Sequence, residues 1–279
     1  MLPEAVPAED KMLDIAGLAP LLRDGMTIGI GGFGLDRKPM ALLAVIARSG
    51  VRDLTIETYA GGLDVELLVA TGAVARVVSC HVGLDQLGLA PVFRRVRQAG
   101  AVAFEEWSEW SQLVAWRAAA EGVPFATARM DSGSDLLRAN PNIRETRCPF
   151  TGETTVSVAA PHIDLAIFHV EAIHRDGGAI ARGDPYLDDL LARAAGTVVV
   201  SAERLIDDAE LEAGYRDVHL LASYVDHIVL APGGALPGSC VPCHLIDWPV
   251  LRRYAEGAFA DAEAAAFILD HITTGAQAA

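Results

Sequence analysis

Apolar positions along the chain fall into two alternating kinds of block. Short runs rich in β-branched residues, at Met26 to Ile30, Leu54 to Tyr59, Ala75 to Cys80, Ala101 to Phe104, Thr154 to Val158, Leu165 to Val170, Thr197 to Ser201 and His227 to Leu230, read as strands. Between them lie segments that read as helices. These are Leu13 to Leu22, Met40 to Arg48, Asp64 to Ala70, Pro91 to Ala99, Glu109 to Ala120, Leu187 to Ala195, Asp207 to Ala213, and the stretch from about Trp248 onward. Strands separated by crossover helices pair in parallel, so the pattern predicts an α/β fold: an open, mostly parallel sheet with helices on both faces. Such sheets bind ligands at the carboxyl ends of their strands. The loop after Ile30, Gly61-Gly62, His81 to Gly83 and Glu105 to Ser108 all follow predicted strands and are expected to meet at one rim.

The loop after the first strand carries the strongest local signal. Gly29, Gly31 and Gly34 satisfy G-x-G-x-x-G, a pattern that lets backbone approach a ligand closely. A dinucleotide loop would start its helix inside the motif. Here Pro39, suited to a first helical turn, comes five residues after the last glycine. The acids that could hold a ribose, Asp53 and Glu57, also stand too far along. That leaves a loop facing some other ligand, or a purely structural turn.

Asp24-Gly25, an apolar strand, Gly31-Gly32-Phe33 and Pro39 together resemble the alpha-subunit motif of family I CoA-transferases. Gly29 interrupts the apolar run, and Arg37 stands where a glycine is usual. Both departures, with Asp36-Arg37-Lys38-Pro39, are similar to the glutaconate CoA-transferase branch. The resemblance extends over most of the chain, through Asp164 to Val170 and Gly183 to Asp189. It implies the CoA-transferase fold, which phosphosugar-binding proteins share, with residues 1–279 forming a single domain. It also implies transfer of CoA between carboxylic acids, with an acyl-CoA thioester as substrate and no tightly bound cofactor. The nucleophilic glutamate of that family lies on a partner beta subunit, in a Glu-Asn-Gly-like segment, and no Glu-Asn-Gly occurs here. This chain would then be half of an enzyme. Gly31, Gly32, Phe33 and Gly34 would line the shared cleft, with backbone donors stabilising charge on the thioester oxygen.

Glu109 opens a helix behind Ser108, a good N-cap. Either it offsets the helix dipole in solvent, or it shares a face with Leu113 and Trp116 and points toward packed apolar surface, where a carboxylate can serve as base or acid. In relatives that hydrolyse a carbon–carbon bond of a cyclic CoA ester during steroid breakdown, the alpha subunit contributes an acidic residue that works on the substrate. Glu109 and Arg129 fall where those enzymes carry glutamate and arginine. Arg129 reads as an anion ligand or a surface arginine, and Gly133-Ser134 as backbone donors or a simple turn. The resemblance favours substrate contact for Arg129 and Ser134. His169 sits in an apolar strand and reads as a core histidine. A regulatory phosphosugar-binding module is the alternative outside enzymes.

Composition narrows the partners. A net charge of −15 excludes a nucleic-acid backbone or an anionic membrane as the main partner. Met1 to Met12 has no basic stretch leading into an apolar core, and no apolar run is long enough to span a bilayer, so a soluble cytoplasmic protein is expected. Four cysteines in 279 residues make no disulfide framework. Cys240-Val241-Pro242-Cys243-His244 matches the haem-attachment pattern. Export would be required for that, and one C-x-x-C without a second pair makes no structural zinc site. The segment reads as a loop, and no metal is expected. No Gly-x-Ser-x-Gly, His-Glu-x-x-His or Walker sequence occurs either.

Overall fold

The computed structural model describes residues 11–129, 134–182 and 184–272. A short β1 (Met12–Leu13) leads through a 3-10 turn at Ile15–Leu21 to β2 (Thr27–Phe33). The helix expected from Leu13 to Leu22 is therefore only a 3-10 run, because Pro20 inside it has no N–H for an α-helical bond. Next come α1 (Met40–Ser49), β3 (Leu54–Gly61), α2 (Leu63–Ala70), β4 (Val74–Ser79), β5 (His81–Val82), α3 (Pro91–Gln98), β6 (Ala103–Glu106) and α4 (Glu109–Ala120). Helix α1 stops at Gly50, whose φ of 81° only glycine takes at little cost. Helix α4 starts where expected: Ser108 Oγ accepts the Ser111 N–H at 3.1 Å, and Ser111 Oγ accepts the Ser108 N–H at 3.0 Å.

The middle of the chain holds β7 (Phe125–Ala128), α5 (Leu136–Ala139), β8 (Ile143–Arg147) and β9 (Thr154–Ala159). It continues with β10 (Ile163–His174), β11 (Ala179–Ile180), α6 (Asp188–Ala194), β12 (Ala195–Ile206), α7 (Asp208–Ala213), β13 (Val218–Leu220), β14 (His227–Leu230), α8 (Trp248–Glu256) and α9 (Asp261–Asp270). The main sheet runs in the order β1-β14-β12-β10-β2-β3-β4-β6, and every neighbouring pair along this path is parallel. Strands β7, β9 and β8 form a separate antiparallel sheet that the sequence pattern does not reveal.

Alternation along β10 divides the main core. Leu165 and Ile167 join the layer built on α1, α2, α8 and α9, whereas Ala166 and Phe168 join the opposite layer with Leu191 of α6 and Trp116 of α4. The small sheet buries Val156 and Val158 with Trp107 and Val114 as a third cluster, beside the β4 edge of the main sheet. Burying apolar surface at roughly 25 cal/mol per Å² makes these layers the main stabilising term. Their consequence is positional: the carboxyl ends of β2, β3 and β5 converge. Gly34 N–H bonds Ala60 O at 2.9 Å, and Gly83 N–H bonds Gly61 O at 3.0 Å.

Candidate active site

Strand β2 does not stop at Ile30 but runs through both glycines to Phe33. A Cβ at Gly31 would enter the Phe168 ring, and one at Gly32 would meet the carbonyls of Asp36 and Arg37. Gly32 also has φ 72°, so strain adds to the steric bar. The turn then closes on itself, Phe33 N–H to Asp36 O at 3.0 Å and Asp36 N–H to Phe33 O at 2.8 Å.

Behind the turn lies a buried charged cluster. Asp188, at the start of α6, accepts the Gly32 N–H at 2.9 Å on Oδ1 and the Arg37 guanidinium at 2.7 Å on Oδ2. His219 Nε2 lies 3.0 Å from Oδ2 as well. Burial opposes the Asp188 charge, yet Arg37 and His219 outweigh it and hold the carboxyl well below the usual carboxylate range. Arg37 has φ 52°, the left-handed region, which accounts for glycine being usual at this place in the resembled family. Here the guanidinium pairing offsets that backbone strain.

This geometry corrects one expectation. The N–H groups of Gly32, Phe33 and Gly34 are all taken, by Asp188, Asp36 and Ala60, so they offer no set of free donors to an oxyanion. What the loop presents is the Phe33 ring. It stacks on Tyr186 with centroids 4.7 Å apart and tilts against Tyr59 at 6.0 Å, and Tyr59 in turn meets Trp116 at 6.1 Å. Beside these rings opens a cleft of about 290 Å³, lined by Phe33, Gly34, Ala60, His81, Gly83 and Tyr186 among others. A larger one of about 490 Å³, between α3 and β6, shares only His81 with it.

Three of the four expected loops therefore meet, and the Glu105 to Ser108 segment does not line this cleft. Glu105 instead accepts from Arg76 at 3.0 Å, Trp107 Nε1 at 3.1 Å and Asn142 at 2.7 Å. It helps close a separate polar cleft of about 380 Å³ that also reaches Glu57. Glu57 is buried and accepts the Trp116 indole N–H. Burial, only partly countered by that bond, pushes its carboxyl up to about 7.

Glu109 is exposed, contrary to the apolar environment expected for it. Side chains on a helix lean toward its N-terminus, so a residue in the first turn projects past the packed stripe of Leu113 and Trp116. The carboxylate still lies near the rim: after burial, its charge is the next cause that raises Tyr59 to about 12 and Cys80 to about 12. Arg129 is 82% exposed and pairs with Glu153 at 2.7 Å, an ion pair that contributes little in solvent. The chain reverses after α4 into β7, and Ala128 packs in the same cluster as Trp107 and Val114, so Arg129 emerges at the end of α4 that carries Glu109. Ser134 is exposed and its Oγ accepts the Leu136 N–H at 3.2 Å, a turn contact. Gly133 lies outside the described residues.

Sequence reasoning alone misses Asp188 and Tyr186. Both fall in the Gly183 to Asp189 block, whose likeness to the family marks the segment but not these roles. His169 is fully buried and hydrogen-bonded, to Ser201 Oγ and Glu203 Oε1, both at 2.9 Å, as a core histidine should be. Cys240 does sit in a loop after a strand. No helix among the described residues is long and apolar enough to cross a membrane.

Comparison with known proteins agrees with this architecture. The chain is 36% identical over 263 residues to the cholesterol ring-cleaving hydrolase IpdA subunit of Rhodococcus jostii, covering 91% of this chain and 88% of that one. It is 32% identical over 256 residues to the alpha subunit of glutaconate CoA-transferase from Acidaminococcus fermentans, covering 85% and 79%. The crystal structure of glutaconate CoA-transferase from Acidaminococcus fermentans superposes with a TM-score of 0.87 at 29% identity, over 94% of this chain and 88% of that one. A variant of the decarboxylase AibA/AibB gives 0.83 at 30% identity, over 93% and 96%. The family model for coenzyme A transferase matches residues 14–231, and the chain belongs to that family.

Proposed function

We propose that this chain is the alpha subunit of a heteromeric, cytoplasmic CoA-transferase that moves CoA between carboxylic acids, with residues 1–279 acting as one domain. The observation that supports this most is the Gly31-Gly32-Phe33 turn, held from behind by Asp188 and facing an open cleft, in a chain that follows the glutaconate CoA-transferase alpha subunit over most of its length. A beta subunit completes that cleft and supplies the glutamate. Its carboxylate attacks the acyl-CoA carbonyl and the thiolate leaves. The thiolate then returns to the glutamyl carbonyl, releasing the first acid and leaving an enzyme thioester that is passed to a second acid. On this side of the cleft, Phe33, Gly34 and Tyr186 pack the acyl chain, while Arg129 and Ser134 contact the anionic end of the substrate.

Glu109 favours a second reading. It is an exposed carboxylate beside the loop's aromatic rings, and the match to the ring-cleaving hydrolase subunit covers 91% of this chain. In that chemistry Glu109 serves as acid or base on a cyclic CoA ester, and water takes the place of the second acid.

One experiment separates the two. The chain co-expressed with its beta subunit is given a short dicarboxylic acyl-CoA and acetate, then treated with hydroxylamine to trap a glutamyl thioester on the partner. A trapped adduct with CoA exchange supports transfer. No adduct, with water-dependent loss of a cyclic CoA ester that disappears in Glu109→Gln, assigns the hydrolase. Failure to take up any CoA ester rejects both.

A further inference from the structure

The loop after β14 brings Cys240 against residues that the sequence keeps far apart. His169 on β10 and Glu203 on β12 meet with Nε2 and Oε1 2.9 Å apart, and His244 Nε2 lies 3.0 Å from the same oxygen. The ligand atoms of His169, Glu203 and the fully buried Cys240 all lie within 4.8 Å of one another. Bonds of about 2.0–2.3 Å in a tetrahedral site place ligand atoms roughly 3.3–3.8 Å apart, a spacing these distances bracket. We propose that His169, Glu203 and Cys240, with His244 as the fourth ligand, form a binding site for a zinc-class divalent cation.

The hydrogen bonds around the cluster support this. Ser201 Oγ lies 3.0 Å from the Phe168 carbonyl, to which it donates, and 2.9 Å from His169 Nδ1. A hydroxyl has one proton. While that proton goes to Phe168, Ser201 can only accept from Nδ1–H, and a neutral imidazole then turns its bare Nε2 lone pair toward the Glu203 carboxylate. A cation between Nε2 and Oε1 removes that conflict without taking the hydroxyl from Phe168. Gly233 N–H holds the other carboxylate oxygen at 2.6 Å, so two of the ligands have the outer hydrogen bonds that orient metal-binding side chains. His244 Nδ1 is buried with no partner among the described residues. On binding, the Cys240 thiol proton goes to solvent, and each imidazole carries its remaining proton on Nδ1.

Four protein ligands leave no open position, so the ion acts as a staple. The residue next to Cys240 shows what it would hold. Ser239 Oγ donates to Asp36 at 2.7 Å, Ser239 N–H donates to Leu35 O at 2.9 Å, and Ser239 O accepts the Arg37 N–H at 2.7 Å. An ion at Cys240 would therefore fix the segment behind the glycine loop to two central strands.

The test uses the full chain without an affinity tag, in complex with its partner where that is needed for expression. Metal content is measured after growth with zinc, and the metal-stripped protein is titrated with Co²⁺. The expected result is one ion per chain, with thiolate-to-cobalt charge transfer and tetrahedral ligand-field absorption. Cys240→Ala should abolish the charge-transfer band and Cys243→Ala should leave it. Ser201→Ala should weaken binding about 10–100-fold, as loss of an outer partner does elsewhere. Circular dichroism verifies that each variant is folded. Absence of stoichiometric metal in the wild-type chain overturns the proposal, as does a band that depends on Cys243 instead of Cys240.

Discussion

Gly32 donates its backbone N–H to Asp188 Oδ1 at 2.9 Å, so a side chain 156 positions away sets the conformation of the glycine loop. The same carboxylate neutralises Arg37, whose side chain is 1% exposed. Removing one partner of a buried pair costs about 3–5 kcal/mol, because the other charge is left unpaired. Asp188→Asn keeps the shape and an acceptor for Gly32 but loses the charge. We expect it to lower the unfolding free energy at pH 7 by about 3 kcal/mol, measured by urea denaturation. The pH dependence has a definite sign. The folded-state pKa is depressed, so the stabilisation is present above the ordinary aspartate pKa and is lost as pH falls below it. The gap between wild type and variant should therefore shrink on acidification. A gap that is absent at pH 7 would show that Arg37 needs no such partner.

The three glycines of the turn are constrained differently, and substitution should rank them. Gly34→Ala meets open space and carries only the strain of φ 58°, about 1–2 kcal/mol. Gly31→Ala has ordinary backbone angles but forces a methyl into the Phe168 ring, at about 1–3 kcal/mol for overpacking. Gly32→Ala suffers both penalties, against backbone carbonyls that cannot swing away. Stability should fall in the order wild type, Gly34→Ala, Gly31→Ala, Gly32→Ala. A Gly32→Ala protein as stable as Gly34→Ala would mean that the turn relaxes at little cost.

Much of the architecture is legible in the sequence, because buried parallel strands appear as near-continuous apolar runs and crossover helices as longer patterned ones. Helix α4 and strand β14 begin and end where the pattern places them. Strand β8 is not readable. Ile143-Arg144-Glu145-Thr146-Arg147 has one buried residue, and its pairing with β9 reflects a partner strand and not its own pattern. The site is half legible. Local constraints on the glycines show in the residue types themselves. Asp188, by contrast, looks like one of two acids offsetting the dipole of α6 until the fold brings it to Gly32. The cluster around Cys240 is invisible for the same reason, since C-x-x-C shows only one side of it.

Glu57 should make stability depend on pH in the opposite sense to Asp188. Its carboxyl is raised from 4.5 to about 7 by burial. Between those values the folded state keeps a proton that the unfolded chain has released, so stability falls as pH rises through that window and levels off above it. Glu57→Gln mimics the protonated form and still accepts from Trp116. We expect the variant to exceed wild type by up to roughly 3 kcal/mol at pH 8 and to match it near pH 4.5, from urea unfolding at both values. An equal difference at the two pH values would refute the burial of an ionising group there.

Glu109 gives the remaining prediction, in which stability and electrostatics separate. The side chain is exposed, so Glu109→Gln should change unfolding free energy by no more than about 0.5 kcal/mol. Its charge nevertheless reaches the rim. Tyr59 is raised to about 12 by burial first and by Glu109 next. Removing the negative charge should lower the pH at which Tyr59 ionises, followed by tyrosinate absorbance with Tyr59→Phe as the reference that identifies the signal. A Tyr59 titration unmoved by Glu109→Gln would place the carboxylate too far from the glycine-loop rings to act on anything bound beside them. It would thereby remove the physical basis for Glu109 as acid or base and leave catalysis to the partner's glutamate.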